Sequence, residues 1–233
     1  MTFERILALD TATETVSVAL RDGEALFYRS DAQYNRHSEQ ILPFVDAVLN
    51  EARKTLSDVD AIAFGAGPGA FTGLRVACGV AQGLGWAADK PLVAVSNLEA
   101  AALKGGIDGR ILTALDARMK ECYVAAYDVK NGTLVSTLIK PHVTRPENLA
   151  ALCEEARITA LVGDAYERYK ERMDLPSCVQ ITDIGCATAS DIAALARTMA
   201  EEGKIVTALQ AAPVYVRNRV ALTIDERARG QAL

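Results

Sequence analysis

The chain has 233 residues, of which 50% are hydrophobic and 24% charged, and its formal net charge is −5. This composition supports a full core in one large or two small domains and argues against nucleic-acid binding through a broad basic face. No apolar run reaches the roughly 18 residues that a membrane helix needs, and charges at Glu4, Arg5 and Asp10 argue against an export signal. The five cysteines form no Cys-x-x-Cys pair, so we expect reduced thiols in a cytoplasmic protein.

The first half of the chain is predicted to open with an antiparallel meander, because apolar runs are joined by short polar turns, one of which holds Asp-Gly. Five strands are predicted at residues 5–10, 15–20, 25–30, 60–64 and 92–95. Helices are predicted at residues 38–54, after the glycines of residues 65–73, and at residues 97–104. The predicted order therefore begins β-β-β-α-β-α, and the strand at residues 92–95 and the helix at residues 97–104 finish the unit.

A glycine-rich loop at residues 105–109 is a candidate boundary, and the pattern starts again after it. Strands are predicted at residues 111–115, 122–127, 134–139 and 160–162, and helices at residues 146–156, 166–172 and 188–202. Both halves open with an apolar strand that ends in Asp, a polar turn and a second strand, which indicates an internal repeat. We expect domains at residues 1–104 and 105–233, with about residues 207–233 packing back on the first.

The stretch at residues 64–86 combines a strand, a glycine-rich turn and a helix, a pattern that suits either an anion site or close packing. Gly65-x-Gly67-x-x-Ala70 fits a dinucleotide pattern loosely, but the next strand ends in Ser-Asn and lacks the acid that binds the ribose. No Lys-Ser or Lys-Thr follows the glycines, which excludes a P-loop. Small residues four apart, such as Gly79 and Gly83, let two backbones approach closely, so both an internal helix and an interface helix fit the pattern.

Few residues suit catalysis. His37 and His142 lack a second histidine four residues away and any nucleophile motif, so neither indicates a metal or catalytic site. Asp10 and Asp116 each follow a strand and enter a polar turn. Such acids either hold a cation and a nucleotide between two halves or cap the backbone of the turn, and the sequence leaves both interpretations open.

GPGAFTGLR at residues 67–75 closely resembles the GPGSFTGLR fingerprint of the TsaB (YeaZ-type) family. LALDTAT, HSEQILP, DARMKECY and PVYVR match other pieces of that family in the same order, at residues 7–13, 37–43, 116–123 and 213–217. The resemblance covers nearly the whole chain. It implies an α/β protein with the duplicated ASKHA (actin-like, RNase H-like) fold of βββαβα domains and mixed sheets, which agrees with the repeat.

The resemblance also implies a role in the threonylcarbamoyl modification of the adenosine next to the anticodon of tRNA. The implied partners are TsaD, the catalytic paralogue, and the ATPase TsaE, with a homodimer when the chain is alone and tRNA contacted through the complex. TsaD carries a His-x-x-x-His metal motif, which is absent from this sequence. A non-catalytic subunit without a cofactor is therefore expected. The alternative is an ASKHA-type ATPase or phosphotransferase, which the glycine-free turn at residues 11–14 disfavours.

The family's partner surface falls on the two long helices of the first half. The residues expected to contact a partner are Ile41, Leu42, Val45, Val48, Leu49, Phe71, Arg75, Cys78, Gly79 and Gln82. Asp10, Thr11 and Asp116 are the candidates for contact with a nucleotide, and a nucleotide at a partner interface stays open. Four arginines at residues 214–233 leave a direct tRNA contact as a further option.

Overall fold

The computed structural model describes residues 2–32 and 37–217, which form two five-stranded mixed sheets covered by helices. The first sheet contains β1 (Arg5–Asp10), β2 (Val16–Asp22), β3 (Ala25–Asp31), β4 (Ala61–Gly67) and β5 (Leu92–Ser96). The second sheet contains β6 (Gly109–Asp116), β7 (Cys122–Lys130), β8 (Thr133–Thr144), β9 (Ala160–Val162) and β10 (Gln180–Ile181). The helices are α1 (His37–Glu51), α2 (Phe71–Ala88), α3 (Asn97–Leu103), α4 (Leu149–Ala156), α5 (Ala165–Tyr169) and α6 (Ala189–Glu201).

The two sheets share one topology. Their strand orders are β3-β2-β1-β4-β5 and β8-β7-β6-β9-β10. In each sheet the first three strands are antiparallel, and the remaining two continue parallel to the first. The predicted meander, the internal repeat and the duplicated ASKHA-type fold are confirmed. Strand β10 was not predicted, because two residues are too short to show a period of two.

The molecule is layered. Helices α1 and α2 cover one face of the first sheet, α6 and part of α3 cover its other face, and α3 also packs on the second sheet. Helix α4 and the region of α5 cover the outer face of the second sheet. Alanines of α6, such as Ala193 and Ala196, pack against Ala8 and Ala63, and these small side chains let the helix lie close to the strands.

Helix α6 belongs to the second half of the sequence, yet it packs on the first sheet, and the Ala189 amide donates to the Ser17 hydroxyl. A domain boundary after residue 104 therefore leaves α6, which follows the boundary, packed on the sheet that precedes it. The sequence predicted a helix at residues 188–202, but a predicted helix carries no information about which sheet it covers.

Residues 206–217, here called the strap, run back over the first half. Val206 pairs with Leu92, and the Val214 amide donates to the Ala66 carbonyl over 2.7 Å. Arg219, Arg227 and Arg229, on which most of the direct tRNA option depends, lie outside the described residues. Across the part of the chain that the structure describes, no helix combines the length and apolarity needed to cross a membrane.

Candidate functional site

Helix α2 uses its glycines in two different ways. At its start, a Cβ on Gly73 would overlap the Thr11 carbonyl oxygen, and one on Gly69 would lie 2.5 Å from the Ala12 carbonyl oxygen. Further along the helix, a Cβ on Gly79 or Gly83 would meet no described heavy atom within 4 Å. The first glycines therefore let the helix press on the β1–β2 turn, and the later ones form an open strip on its outer face.

The outer face of the two helices holds part of the predicted partner surface. Leu42 on α1 is 49% exposed and Phe71 at the start of α2 is 44% exposed, and Arg75 and Gly79 are exposed as well. Gln82 is half-buried, and its Nε2 donates to the Ala211 carbonyl of the strap over 2.9 Å. These five residues share one side of the first half.

The other predicted contact residues do not lie on this surface. Five of them are buried in the core between the helices and the first sheet: Ile41, Val45, Val48, Leu49 and Cys78. The sequence showed an apolar stripe on each helix, and this stripe is the side that the sheet covers. The exposed part of the predicted surface is therefore smaller than expected, and these five side chains are corrected to core residues.

Trp86 is part of the outer face and was missed. This residue is 70% exposed, and it lies seven residues after Gly79, two turns further along the same side of α2. The helical spacing from Gly79 was the signal that would have found it. A large, exposed aromatic side chain beside bare glycines is typical of a surface that another protein covers.

An aromatic cluster joins α2 to the strap. The Arg75 guanidinium lies 3.8 Å from the centroid of the Phe71 ring, and its Nε donates to the Tyr215 hydroxyl over 3.0 Å. The rings of Phe71 and Tyr215 are 5.4 Å apart. Since Phe71 and Tyr215 also line a cleft between the two halves, this cluster connects the outer face of α2 with that cleft.

The inter-half cleft has a volume of about 350 Å³. It is lined by the β1–β2 turn at residues 12–14, the segment that leads into α2 at residues 68–71, the end of β6 and the turn after it at residues 115–119, and the strap at residues 214–217, with Arg168 and a few neighbours. In an ASKHA fold a nucleotide is expected in the matching space between the halves. The contacts of the residues that line this cleft decide whether a nucleotide fits here.

Asp10 is fully buried and has its own partners. Its Oδ1 accepts hydrogen bonds from Asn97 Nδ2 at 3.0 Å and from the Ala12 amide at 3.4 Å, while Oδ2 has no hydrogen-bond partner among the described residues. Burial raises the pKa of Asp10 to about 7. Asn97 in turn accepts a hydrogen bond from the Gly67 amide. Asp10 therefore links the ends of β1, β4 and β5 inside the first half.

Asp116 holds the equivalent position in the second sheet, with a side chain that is 5% exposed. Its Oδ1 accepts from the Arg118 amide at 2.8 Å and from the Tyr169 hydroxyl at 2.6 Å, and its Oδ2 lies 3.3 Å from Arg118 Nη1 and 3.5 Å from Arg168 Nε. Both aspartates thus bind the backbone amide two residues further on, as the turn-capping interpretation expects.

The described residues of the cleft do not fit a bound phosphate. The β1–β2 turn has no glycine, and the start of α2 is pressed against it, with the Ala70 amide donating to the Ala12 carbonyl and the Thr11 hydroxyl to the Gly73 carbonyl. The arginines of the cleft are engaged by carboxylates of Glu14, Asp116 and Glu121. Within residues 2–32 and 37–217, no group of three or more His, Cys, Asp and Glu side chains is arranged to hold a metal ion.

The repeated topology, the layers and the cleft between the halves define a duplicated ASKHA-type α/β protein with an open helical face on its first half. A family model described as TsaD, tRNA N6-adenosine threonylcarbamoyltransferase, matches residues 31–223. The tRNA threonylcarbamoyladenosine biosynthesis protein TsaB of Escherichia coli is 36% identical over 93% of this chain and 96% of its own. The TsaB of Haemophilus influenzae is 34% identical over 92% and 94%.

A solved structure gives the same result. YeaZ from Pseudomonas aeruginosa superimposes with a TM-score of 0.81 at 37% identity, over 92% of this chain and 100% of that one. The chain belongs to the TsaB (YeaZ-type) family, as the fingerprint at residues 67–75 predicted.

Proposed function

We propose that this chain is a non-catalytic subunit in the biosynthesis of threonylcarbamoyladenosine in tRNA and that it acts by docking on the catalytic paralogue TsaD. The observation that carries the proposal is the outer face of α1 and α2. There Leu42, Phe71 and Trp86 are exposed around two glycines with open space above them. Exposed apolar residues grouped in this way favour a protein partner.

The same face suits a helix of a related chain. Gly79 and Gly83 leave room for a partner backbone, and Arg75 is the charged group beside them on α2. A homodimer of the free chain would use this face as well, so TsaD and a second copy compete for it. TsaE is a further partner in this proposal, and the chain meets tRNA only indirectly, through the complex.

The alternative of an ATPase or phosphotransferase is disfavoured by the packing in the cleft. Catalysis on a nucleotide needs backbone amides that approach phosphate, and here α2 lies against the β1–β2 turn. Turnover of ATP by the purified chain alone, at a rate lost on substitution of Asp10 or Asp116, would support the alternative and overturn the proposal.

The docking step is tested with Gly79→Arg, which places a long side chain on the open strip and is expected to abolish co-elution with TsaD without loss of the fold. The matched control is Ala151→Arg, on the exposed side of α4 in the second half. An undisturbed TsaD complex with Gly79→Arg, or equal loss with both variants, would contradict the proposed surface.

The biochemical role is tested by reconstitution. The chain is mixed with TsaD, TsaE and the enzyme that makes the threonylcarbamoyl precursor, and modification of tRNA is followed. We expect strong dependence on this chain and a similar defect with Gly79→Arg. Full modification in its absence would overturn the scaffold role.

A further inference from the structure

Two arginines of the second half reach across the inter-half cleft to one acid of the first half. Glu14 lies on the β1–β2 turn, and its Oε1 accepts hydrogen bonds from Arg118 Nη2 and Arg168 Nη2, both at 2.9 Å. Arg118 lies on the β6–β7 turn and Arg168 on α5. These two bonds join parts of the chain that are more than one hundred residues apart in sequence.

The second-half end of this arrangement is firmly held. Arg118 and Arg168 also contact the nearly buried carboxylate of Asp116, and Arg168 Nε lies 3.5 Å from Asp164 Oδ2. The Tyr169 hydroxyl donates to the other carboxylate oxygen of Asp116, Oδ1. A single exposed ion pair contributes little, but here two preoriented guanidinium groups share one carboxylate, so less side-chain entropy is lost for each bond.

The β6–β7 turn, which carries Arg118, has an unfavourable backbone conformation. Arg118, Met119 and Lys120 have φ angles of 60°, 55° and 61°, so three successive residues with side chains are left-handed. Such residues persist where their surroundings hold them. The contacts of Arg118 with Glu14 and Asp116 are part of what holds this turn over the cleft.

We infer that Glu14, Arg118 and Arg168 form an ionic latch that ties the β1–β2 turn of the first half to the β6–β7 turn and α5 of the second half across the cleft. The latch belongs to the free chain and needs no partner. Its coupling to the docking face rests on the proposed function, and it arises because the turn that carries Glu14 is bonded to the start of α2 through Ala12 and Ala70. Opening of the latch would therefore shift the start of the docking face.

The latch is tested by hydrogen exchange on the full chain, comparing wild type with Glu14→Gln. In the variant, amides at residues 12–16 and 117–121 are expected to exchange about three- to fivefold faster at low salt, the range for loss of a small ion-pair network. In 1 M salt the wild type is expected to approach the variant, because screening then acts within about 3 Å.

The control is Glu51→Gln, which removes the exposed pair with Arg29 inside the first half. It is expected to leave both turns unchanged. Equal exchange in wild type and Glu14→Gln, or the same change in the control, would overturn the latch.

A second arm measures TsaD binding by the same proteins. Weaker TsaD binding by Glu14→Gln together with faster exchange supports the coupling of the latch to α2. Unchanged TsaD binding with faster exchange would refute the coupling and still support the latch. If wild type does not bind TsaD, the proposed function fails while the exchange result still decides the latch.

Discussion

The Thr11 hydroxyl donates a hydrogen bond of 2.6 Å to the Gly73 carbonyl, which ties the β1–β2 turn to the first turn of α2. The Ala70 amide strengthens this tie by donating to the Ala12 carbonyl over 2.7 Å. Both bonds need the backbones to be close, and Gly69 and Gly73 make that approach sterically possible. In this chain the start of the fingerprint therefore serves packing within the first half, and its continuation forms the open strip.

The two kinds of glycine on α2 predict opposite effects of the same substitution. Gly73→Ala forces a methyl group onto the Thr11 carbonyl and is expected to lower the free energy of unfolding by about 1–3 kcal/mol. Gly79→Ala adds a methyl group in open space within a helix and is expected to raise it by about 0.5–1 kcal/mol. Urea denaturation of the two variants measures both, and equal midpoints would contradict this division of the helix.

Asp10 predicts a pH dependence of stability. Burial raises the pKa of Asp10 from 3.8 to about 7, above its value in the unfolded chain, so the folded state binds the proton more tightly. The contribution of the Asp10 carboxyl to the free energy of unfolding is full below pH 4 and is lost as the pH rises through about 7. Relative to Asp10→Asn, wild type is expected to lose about 2–3 kcal/mol of unfolding free energy between pH 5 and pH 8.

The Asp10→Asn comparison isolates this group, because the amide oxygen of Asn can still accept from Asn97 and from the Ala12 amide. Chemical denaturation at pH 5, 6, 7 and 8 supplies the measurement. Parallel pH profiles of the two proteins would show that Asp10 is ionised in the folded chain.

Tyr215 predicts how the strap is held on α2. Tyr215→Phe removes the hydrogen bond from Arg75 but keeps the ring beside Phe71. We expect it to lower the free energy of unfolding by about 0.5–1.5 kcal/mol. Tyr215→Ala removes the ring contact as well and is expected to cost more. Exchange of the Val214 amide, which is bonded to the Ala66 carbonyl, should accelerate in the same order. An unchanged Val214 amide in both variants would mean that the cluster does not hold the strap.

The sequence pattern predicted only part of the candidate surface. The helical period grouped Ile41, Val45 and Val48 correctly as one stripe, yet both a sheet and a partner select an apolar stripe, so the pattern did not say which one covers it. Gly79 and Trp86 lie on the outer side of α2, away from the sheet. There, two glycines and a single exposed aromatic residue gave a weaker periodic signal than an apolar stripe.

The sequence by itself determined the family, the repeated β-β-β-α-β-α order and the two aspartates at equivalent strand ends, because these depend on local periodicity and short motifs. Only the tertiary structure decided that α6 covers the first sheet, that Gly73 serves packing while Gly79 stays open, and that Glu14 meets Arg118 and Arg168 across the cleft. These features depend on contacts between residues far apart in the chain, and local preference does not encode which distant surface a side chain meets.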